Sequence, residues 1–417
     1  MTPAAAGRPR RFGALSEPSY RFFFAGYGTS YILYWVYVLS LGWYAWETTH
    51  SALWLGIIYA CDLCPALAVS PIGGALADRL DRLTLLRTAL WLQVANALTI
   101  AALAWLGWLD VWLLALLALA EGTLVGISQP AFNGLVPRLV SRGNLASAIA
   151  LNTLVYHLSG VLGPLLAGAI FAFGLGGAPF AFACNAIGTL LYLACLTRVR
   201  FAPQPSAQAA RPATRIWHDI ADGFRYMARS DFILVACGLT LALALLGRTL
   251  TNLLPGLNDR YGLFEPARFV WLTAALLSGS VAAALLKARA NDLTRAAGNS
   301  LLAFLVYALL WSLTFGLLWV GWADSWLILA LLCLLGFTST SAFVGRSASL
   351  QAQLDEARRG RVMGNFQMLS RGAGALGALL TGALADRLDF APALLLLLAL
   401  AVALFLASLL LARARRA

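Results

Sequence analysis

Five ionisable side chains stand inside long apolar runs of this 417-residue chain: Asp62, Glu121, His157, Arg248 and Arg371. Charge at hydrocarbon depth is costly, and residues kept there despite the cost are functional candidates. A carboxyl in a low-dielectric site can take up and release a proton near neutral pH, so Asp62 and Glu121 are candidate proton carriers. The alternative for each is a structural ion pair with Arg248 or Arg371. His157 reads either as a hydrogen-bonded packing residue or as a further proton carrier. Asn96, Gln129, Asn152 and Asn185 are polar company at similar depth. Tyr27, Tyr31 and Tyr34 recur at helical spacing in the first run, so Tyr31 and Tyr34 either line a cavity for an amphipathic or aromatic substrate or belong to the aromatic belt at the membrane surface.

These residues need helices to hold them. The chain is 61% hydrophobic and only 12% charged, with a mean hydropathy of +0.78, which excludes an ordinary soluble domain. The apolar runs are continuous rather than alternating, which excludes a β-barrel, and each is about 20 residues long, enough to cross the bilayer as a helix. Spans are expected near Phe22–Trp46, Leu53–Ala77, Leu85–Leu106, Val111–Val136, Leu145–Phe173 and Phe180–Leu196, then near Phe232–Leu254, Phe269–Leu286, Leu301–Val320, Trp326–Val344, Val362–Leu384 and Ala391–Leu411. The first run is too long for the apolar core of a cleaved signal peptide and is expected to stay as a helix. The fold class is therefore all-α integral membrane: twelve transmembrane helices in two six-helix bundles, residues 1–196 and 232–417. Between them, residues 197–231 form a polar loop whose Trp217, His218, Phe224 and Tyr226 suit one short surface helix.

Placing the termini and the central loop in the cytoplasm puts 25 of the 30 Lys and Arg on that side, which satisfies the positive-inside rule. The net charge of +12 is then orientation, and no nucleic-acid partner is required. Of the five exceptions, Arg260 and Arg268 read as solvated outer-loop charges beside Asp259 and Glu265, Arg248 and Arg371 fall within spans, and Arg387 falls outside. Cys61 and Cys64 form a C-x-x-C inside an apolar helix and read as small buried side chains. Neither a phosphate-binding G-x-x-x-x-G-K-[ST] nor a zinc-binding H-E-x-x-H occurs, so no cofactor or metal is expected.

Between spans two and three stands Gly74-Ala-Leu-Ala-Asp78-Arg79-Leu-Asp81-Arg82, a tight turn in which Gly permits close backbone approach and Asp stands beside Arg. It resembles the signature loop of the major facilitator superfamily, G-x-x-x-D-R-x-G-R-[RK]; the match covers Gly74, Asp78, Arg79 and Arg82, while Asp81 replaces the second Gly and Leu83 the last basic residue. The resemblance implies a latch on the cytoplasmic gate. In span five, Gly160, Gly163, Pro164 and Gly168 either form a plain small-residue packing face or resemble the antiporter motif of that superfamily's exporters. Residues 43–56, 135–140, 148–152 and 359–364 are similar to the branch that contains enterobactin exporters and macrolide efflux proteins. An Arg that many drug/proton antiporters carry in span four is absent here, where Leu119-Ala-Glu121-Gly stands instead.

The resemblance implies a monomeric secondary transporter of the bacterial inner membrane, with small-molecule substrate and protons as partners and the lipid bilayer around it. It would export a drug, siderophore or secondary metabolite by proton antiport and alternating access, an efflux activity of the kind behind multidrug resistance. The competing readings are a polytopic enzyme acting on lipids and an uptake transporter of the same superfamily. One further pattern, the octapeptide GALADRLD at both 74–81 and 382–389, reads as compositional coincidence because its second copy falls on the outer side, between spans eleven and twelve. A membrane-impermeant maleimide should label Arg387→Cys from outside intact cells; protection there, with labelling only from the inside, would overturn this topology.

Overall fold

The computed structural model describes residues 13–199, 222, 224–264, 270–289, 293–354 and 356–415, and every regular element among them is helical. Among the described residues twelve long helices follow one another: α1 (Pro18–Thr49), α2 (Ala52–Arg79), α3 (Arg82–Trp105), α4 (Val111–Leu135), α5 (Leu145–Ala172), α6 (Gly177–Thr197), α7 (Asp231–Tyr261), α8 (Val270–Arg289), α9 (Leu293–Trp319), α10 (Ser325–Gln353), α11 (Glu356–Leu388) and α12 (Phe390–Ala414). Ten carry an apolar stretch long enough to span a bilayer, and α5 and α8 carry shorter ones, Leu158–Phe171 and Val270–Leu286. Each expected span falls on one of these helices, because a helix alone pairs its own backbone groups where water is absent. The largest extension at one end is in α10, which continues past Val344 to Gln353, and α7 continues past Leu254 to Tyr261 through Pro255.

Short turns with identifiable stop and start residues join the helices. Gly107 and Gly321 end α3 and α9 at φ +72° and +83°, a conformation that costs glycine no Cβ clash. Asp110 and Asp324 accept from the backbone N–H of Leu113 and Leu327, both at 2.7 Å, and so begin α4 and α10. Tryptophans cluster at the same two turns: Trp105, Trp108 and Trp112 at one, Trp319, Trp322 and Trp326 at the other, all exposed. Their amphipathic rings suit the headgroup level, and the exposed leucines along the helices suit the acyl chains.

Both copies of GALADRLD close one helix and lead into the next. In each, the last Asp caps the next helix: Asp81 accepts from the N–H and hydroxyl of Thr84 at 2.8 and 2.9 Å, and Asp389 accepts from the N–H of Phe390 at 2.7 Å. The octapeptide is a helix end, a tight turn and an N-cap. Asp389 adopts φ +82°, so the second turn is the tighter.

By contact density the chain divides into two compact units, one of residues 1–40, 68–109 and 120–213, the other of 41–67, 110–119 and 214–417. In the first, α3 packs on α6, and Tyr20, Phe23, Phe132 and Tyr192 anchor an apolar cluster with Leu86, Leu90 and Leu135. In the second, α7 is the most buried helix and packs on α11 and α12, while α8 packs on α10. Trp217 and His218 of the expected surface helix lie outside the described residues; residues 224–229 are helical, and Met227, Phe224 and Tyr226 pack onto Ile233, Leu350 and Phe366. Arg346, counted from sequence among the cytoplasmic loop charges, instead lies inside α10 at 6% exposure. Its guanidinium sits 4.8 Å above the Phe232 ring, a cation–π contact that softens the cost of burial.

Small residues set the closest helix contacts. A Cβ on Gly336 would overlap the carbonyl of Leu276, and one on Gly279 the carbonyl of Cys333, so α8 and α10 touch backbone to backbone. Neither obstacle is a side chain that can swing aside. Gly336→Ala should therefore destabilise the protein by about 1–3 kcal/mol, as overpacking does, read as a lower Tm in detergent; Gly316→Ala, with open space around it, should leave Tm unchanged.

Candidate functional site

The α2–α3 turn brings together the residues of the gate-motif resemblance. Arg82, the first residue of α3, donates from Nε to the Ala77 carbonyl at 3.1 Å and from a terminal nitrogen to the Gly134 carbonyl at 3.3 Å. It thereby ties the ends of α2 and α4, and Gly134 leaves the room it needs. The close backbone approach expected of Gly74 belongs to its neighbour: Gly74 has nothing within 4 Å of a Cβ, whereas a Cβ on Gly73 would come within 2.7 Å of the Gly126 carbonyl of α4. Arg79 is exposed, and the side chain of Asp78 lies outside the described residues. Asp81, where the motif has a second Gly, is the cap of α3. The Thr84 N–H holds its carboxyl below the usual range against the opposing effect of partial burial, with help from the Thr84 hydroxyl and the charge of Arg138.

In the same unit, the aromatic face of α1 forms a ladder. Ring centroids step from Tyr27 to Tyr31 at 5.4 Å, to Tyr34 at 5.7 Å and to Tyr37 at 5.9 Å. Its ends are fixed by packing, Tyr27 against Phe132 at 4.7 Å and Tyr37 against Phe182 at 5.9 Å. Tyr31 and Tyr34 between them are half-buried. Of the span-five motif, Gly163 lets α5 meet the α1 backbone within 2.9 Å of the Ile32 carbonyl, and Gly160, Pro164 and Gly168 are buried. Asn152 accepts from the Tyr20 hydroxyl at 3.0 Å, and Gln129 donates to Asn133 at 3.3 Å. The side chain of His157 lies outside the described residues.

Glu121 of α4 is 2% exposed and accepts from Asn96 of α3 at 3.0 Å. Asn96 also lines an open surface groove of about 400 Å³ between α3 and α4, together with Leu92, Ala95, Thr99, Ala120, Thr123 and Leu124. The Asn96 amide thus gives the buried carboxyl one hydrogen-bond donor from the neighbouring helix.

Asp62 is 7% exposed and belongs to the other unit, with Arg248 and Arg371. The register of α2 against α11 fixes its height. A Cβ on Gly382 would overlap the Ala52 carbonyl, and a Cβ on Gly56 would stand 2.6 Å from the Ala378 carbonyl. Four residues forward on α2 thus match four back on α11, which carries Asp62 to the level of Gly372, beside Arg371. Arg248 of α7 packs on Gly374 of α11 with its Cδ 2.7 Å from the glycine's Cβ position. One acid and two half-buried arginines therefore share a level of one unit, while Glu121 belongs to the other unit. Sequence reasoning named both acids and both arginines but had no signal for Asn96 as the partner of Glu121, nor for Gly73, because neither helix face nor register is written in a uniformly apolar run.

Comparison with known proteins agrees with this architecture. Residues 11–416 match the profile of the transmembrane secretion effector family of the major facilitator superfamily. The enterobactin exporter EntS of Shigella boydii is 26% identical over 343 residues, covering 81% of this chain and 78% of that protein. The staphyloferrin A transporter of Staphylococcus aureus is 27% identical over 168 residues; that match spans 39% of this chain and only 41% of the relative. Among solved structures, the nucleoside transporter NupG (D323A mutant) superposes with a TM-score of 0.74 at 14% identity over 94% of this chain and 99% of its own. A bacterial homologue of the lysosomal transporter Spinster gives 0.75 at 13% identity over 95% and 98%. At such identities these two speak for the fold alone.

The cap at Asp81 is directly measurable. Asp81→Ala should lower stability by about 0.5–2 kcal/mol, the usual cost of losing an N-cap. Because the folded carboxyl titrates below its unfolded value, the contribution is present at neutral pH and is lost as pH falls through the folded pKa. The Tm difference between wild type and Asp81→Ala should accordingly shrink below about pH 4, where an unfolded Asp protonates.

Proposed function

The chain belongs to the transmembrane secretion effector family of the major facilitator superfamily, and from that premise we propose that this membrane transporter exports a small amphipathic molecule, of siderophore or drug type, across the bacterial inner membrane by alternating access coupled to proton antiport. The family sets aside the lipid-modifying enzyme. In this reading residues 1–196 and 232–417 are the two rocking halves, joined by a cytoplasmic loop over 197–231, with both termini in the cytoplasm and the monomer as the working unit. The names of the two relatives, an enterobactin exporter and a staphyloferrin A transporter, support a siderophore-like cargo.

The observation that carries the coupling is Asp62, buried on α2 in the same unit as Arg371 of α11 and Arg248 of α7, which packs on Gly374 of α11. A buried acid within reach of cationic side chains is stable charged when they attend it and stable protonated when they leave, so helix movement can trade its proton for cargo. Glu121, buried and hydrogen-bonded by Asn96, is the second candidate. Tyr31 and Tyr34 offer half-buried aromatic faces to a planar substrate, with Asn152 and Gln129 as nearby polar groups and Asp78, Arg79 and Arg82 as the cytoplasmic latch.

The experiment is efflux from proteoliposomes with an imposed pH gradient, offered catecholate and carboxylate siderophores and amphipathic antibiotics. Wild type should respond to the gradient. Asp62→Asn should lose gradient-driven transport by about tenfold or more, the factor that one pKa unit of lost coupling represents, while substrate counterflow persists; the same pattern in Glu121→Gln alone would move the coupling site to α4. Transport indifferent to the gradient in wild type would defeat antiport.

A further inference from the structure

The α1–α2 turn is fastened at a point no gate motif accounts for. Asp386, on the last turn of α11, accepts from the Ser51 hydroxyl at 2.5 Å and from the backbone N–H groups of Ala52 and Leu53 at 2.6 and 3.3 Å. Ala52 opens α2, so these are first-turn N–H groups with no partner inside their own helix, and the carboxylate meets the positive end of the helix dipole. The local cap, Ser51, reaches the Trp54 N–H only at 3.4 Å. α2 is thus capped from another helix, 334 positions away in the sequence.

Neighbouring contacts reinforce this one. Gly382 and Gly56 let α11 and α2 touch backbone to backbone. Asp259 of α7 accepts from the Trp46 indole N–H at 3.0 Å, with His50 Nδ1 at 3.8 Å from the same oxygen, and Trp46 packs edge-on to Phe390 at 5.7 Å. Arg260 of α7 binds Asp389 at 2.8 Å and so ties α7 to the α11–α12 turn.

Asp386 is the fifth residue of the second GALADRLD, where the first copy has Asp78. We infer that this second copy is the latch of the opposite gate: Asp386 holds the α1–α2 turn against α11 and must release it each time the transport path opens on that face. The inference rests on the alternating-access reading above. In that reading the charge-assisted bonds bridge the segments that part, α1–α2 on one side and α7 and α11 on the other, and the Asp386 carboxylate is exposed enough for its bonds to break without stranding a buried charge.

Spin labels at Glu47→Cys and Ala383→Cys, both exposed positions, report the separation by pulsed electron resonance on the full chain in liposomes, the six native cysteines having been replaced. Asp386→Asn and Asp386→Ala should each enlarge the long-distance population about threefold to tenfold, as expected for lost hydrogen bonds to a carboxylate. Asp386→Glu should retain part of the short-distance population, and Arg387→Ala should leave it as in wild type. Distances unchanged in both Asp386 variants, or an equal shift in Arg387→Ala, would overturn the latch. The readout needs no substrate, so it stands apart from the efflux assay: unchanged distances with gradient-driven export intact remove the latch alone, and shifted distances with gradient-indifferent transport remove antiport alone.

Discussion

An unpaired backbone group is costly in hydrocarbon, and the main features of this protein follow from that cost. It makes every described regular element a helix. It also governs the few polar side chains left at depth. Glu121 is held by an asparagine, Arg346 stands over an aromatic ring, and Asp62 lies level with two arginines. In water each of these groups would be satisfied by solvent, and its position would say little. In a membrane each position is a constraint on which helices face one another.

With no solvent to drive apolar faces together, helices associate through close packing, and glycine supplies it. The contacts at Gly73, Gly163, Gly279, Gly336 and Gly382 are backbone to backbone. Such contacts fix height as well as proximity, because a carbonyl fits against a glycine at one register only. That is how Ala52 and Gly56 against Gly382 and Ala378 set the level of Asp62.

The repeated octapeptide shows how one local code serves two places. Both copies end a helix, turn tightly and cap the next helix with their final Asp. The fifth residue of the second copy reaches across to another helix. The local half of this behaviour was legible in the sequence as turn and cap chemistry. Its long-range half was not, since nothing in eight residues says which helix end will arrive beside them.

The sequence by itself determined the twelve helices, their turns and caps, and the short roll of charges at depth, because hydrocarbon thickness, proline, glycine and aspartate act locally. Tertiary structure decided the partnerships: Asn96 for Glu121, the α2 terminus for Asp386, Gly73 rather than Gly74 for the approach of α2 to α4, and the burial of Arg346. The reason is physical. In a soluble helix the polar face declares which side is buried, whereas a membrane helix is apolar on its lipid side and its packed side alike, so only the assembled bundle shows which residue meets which.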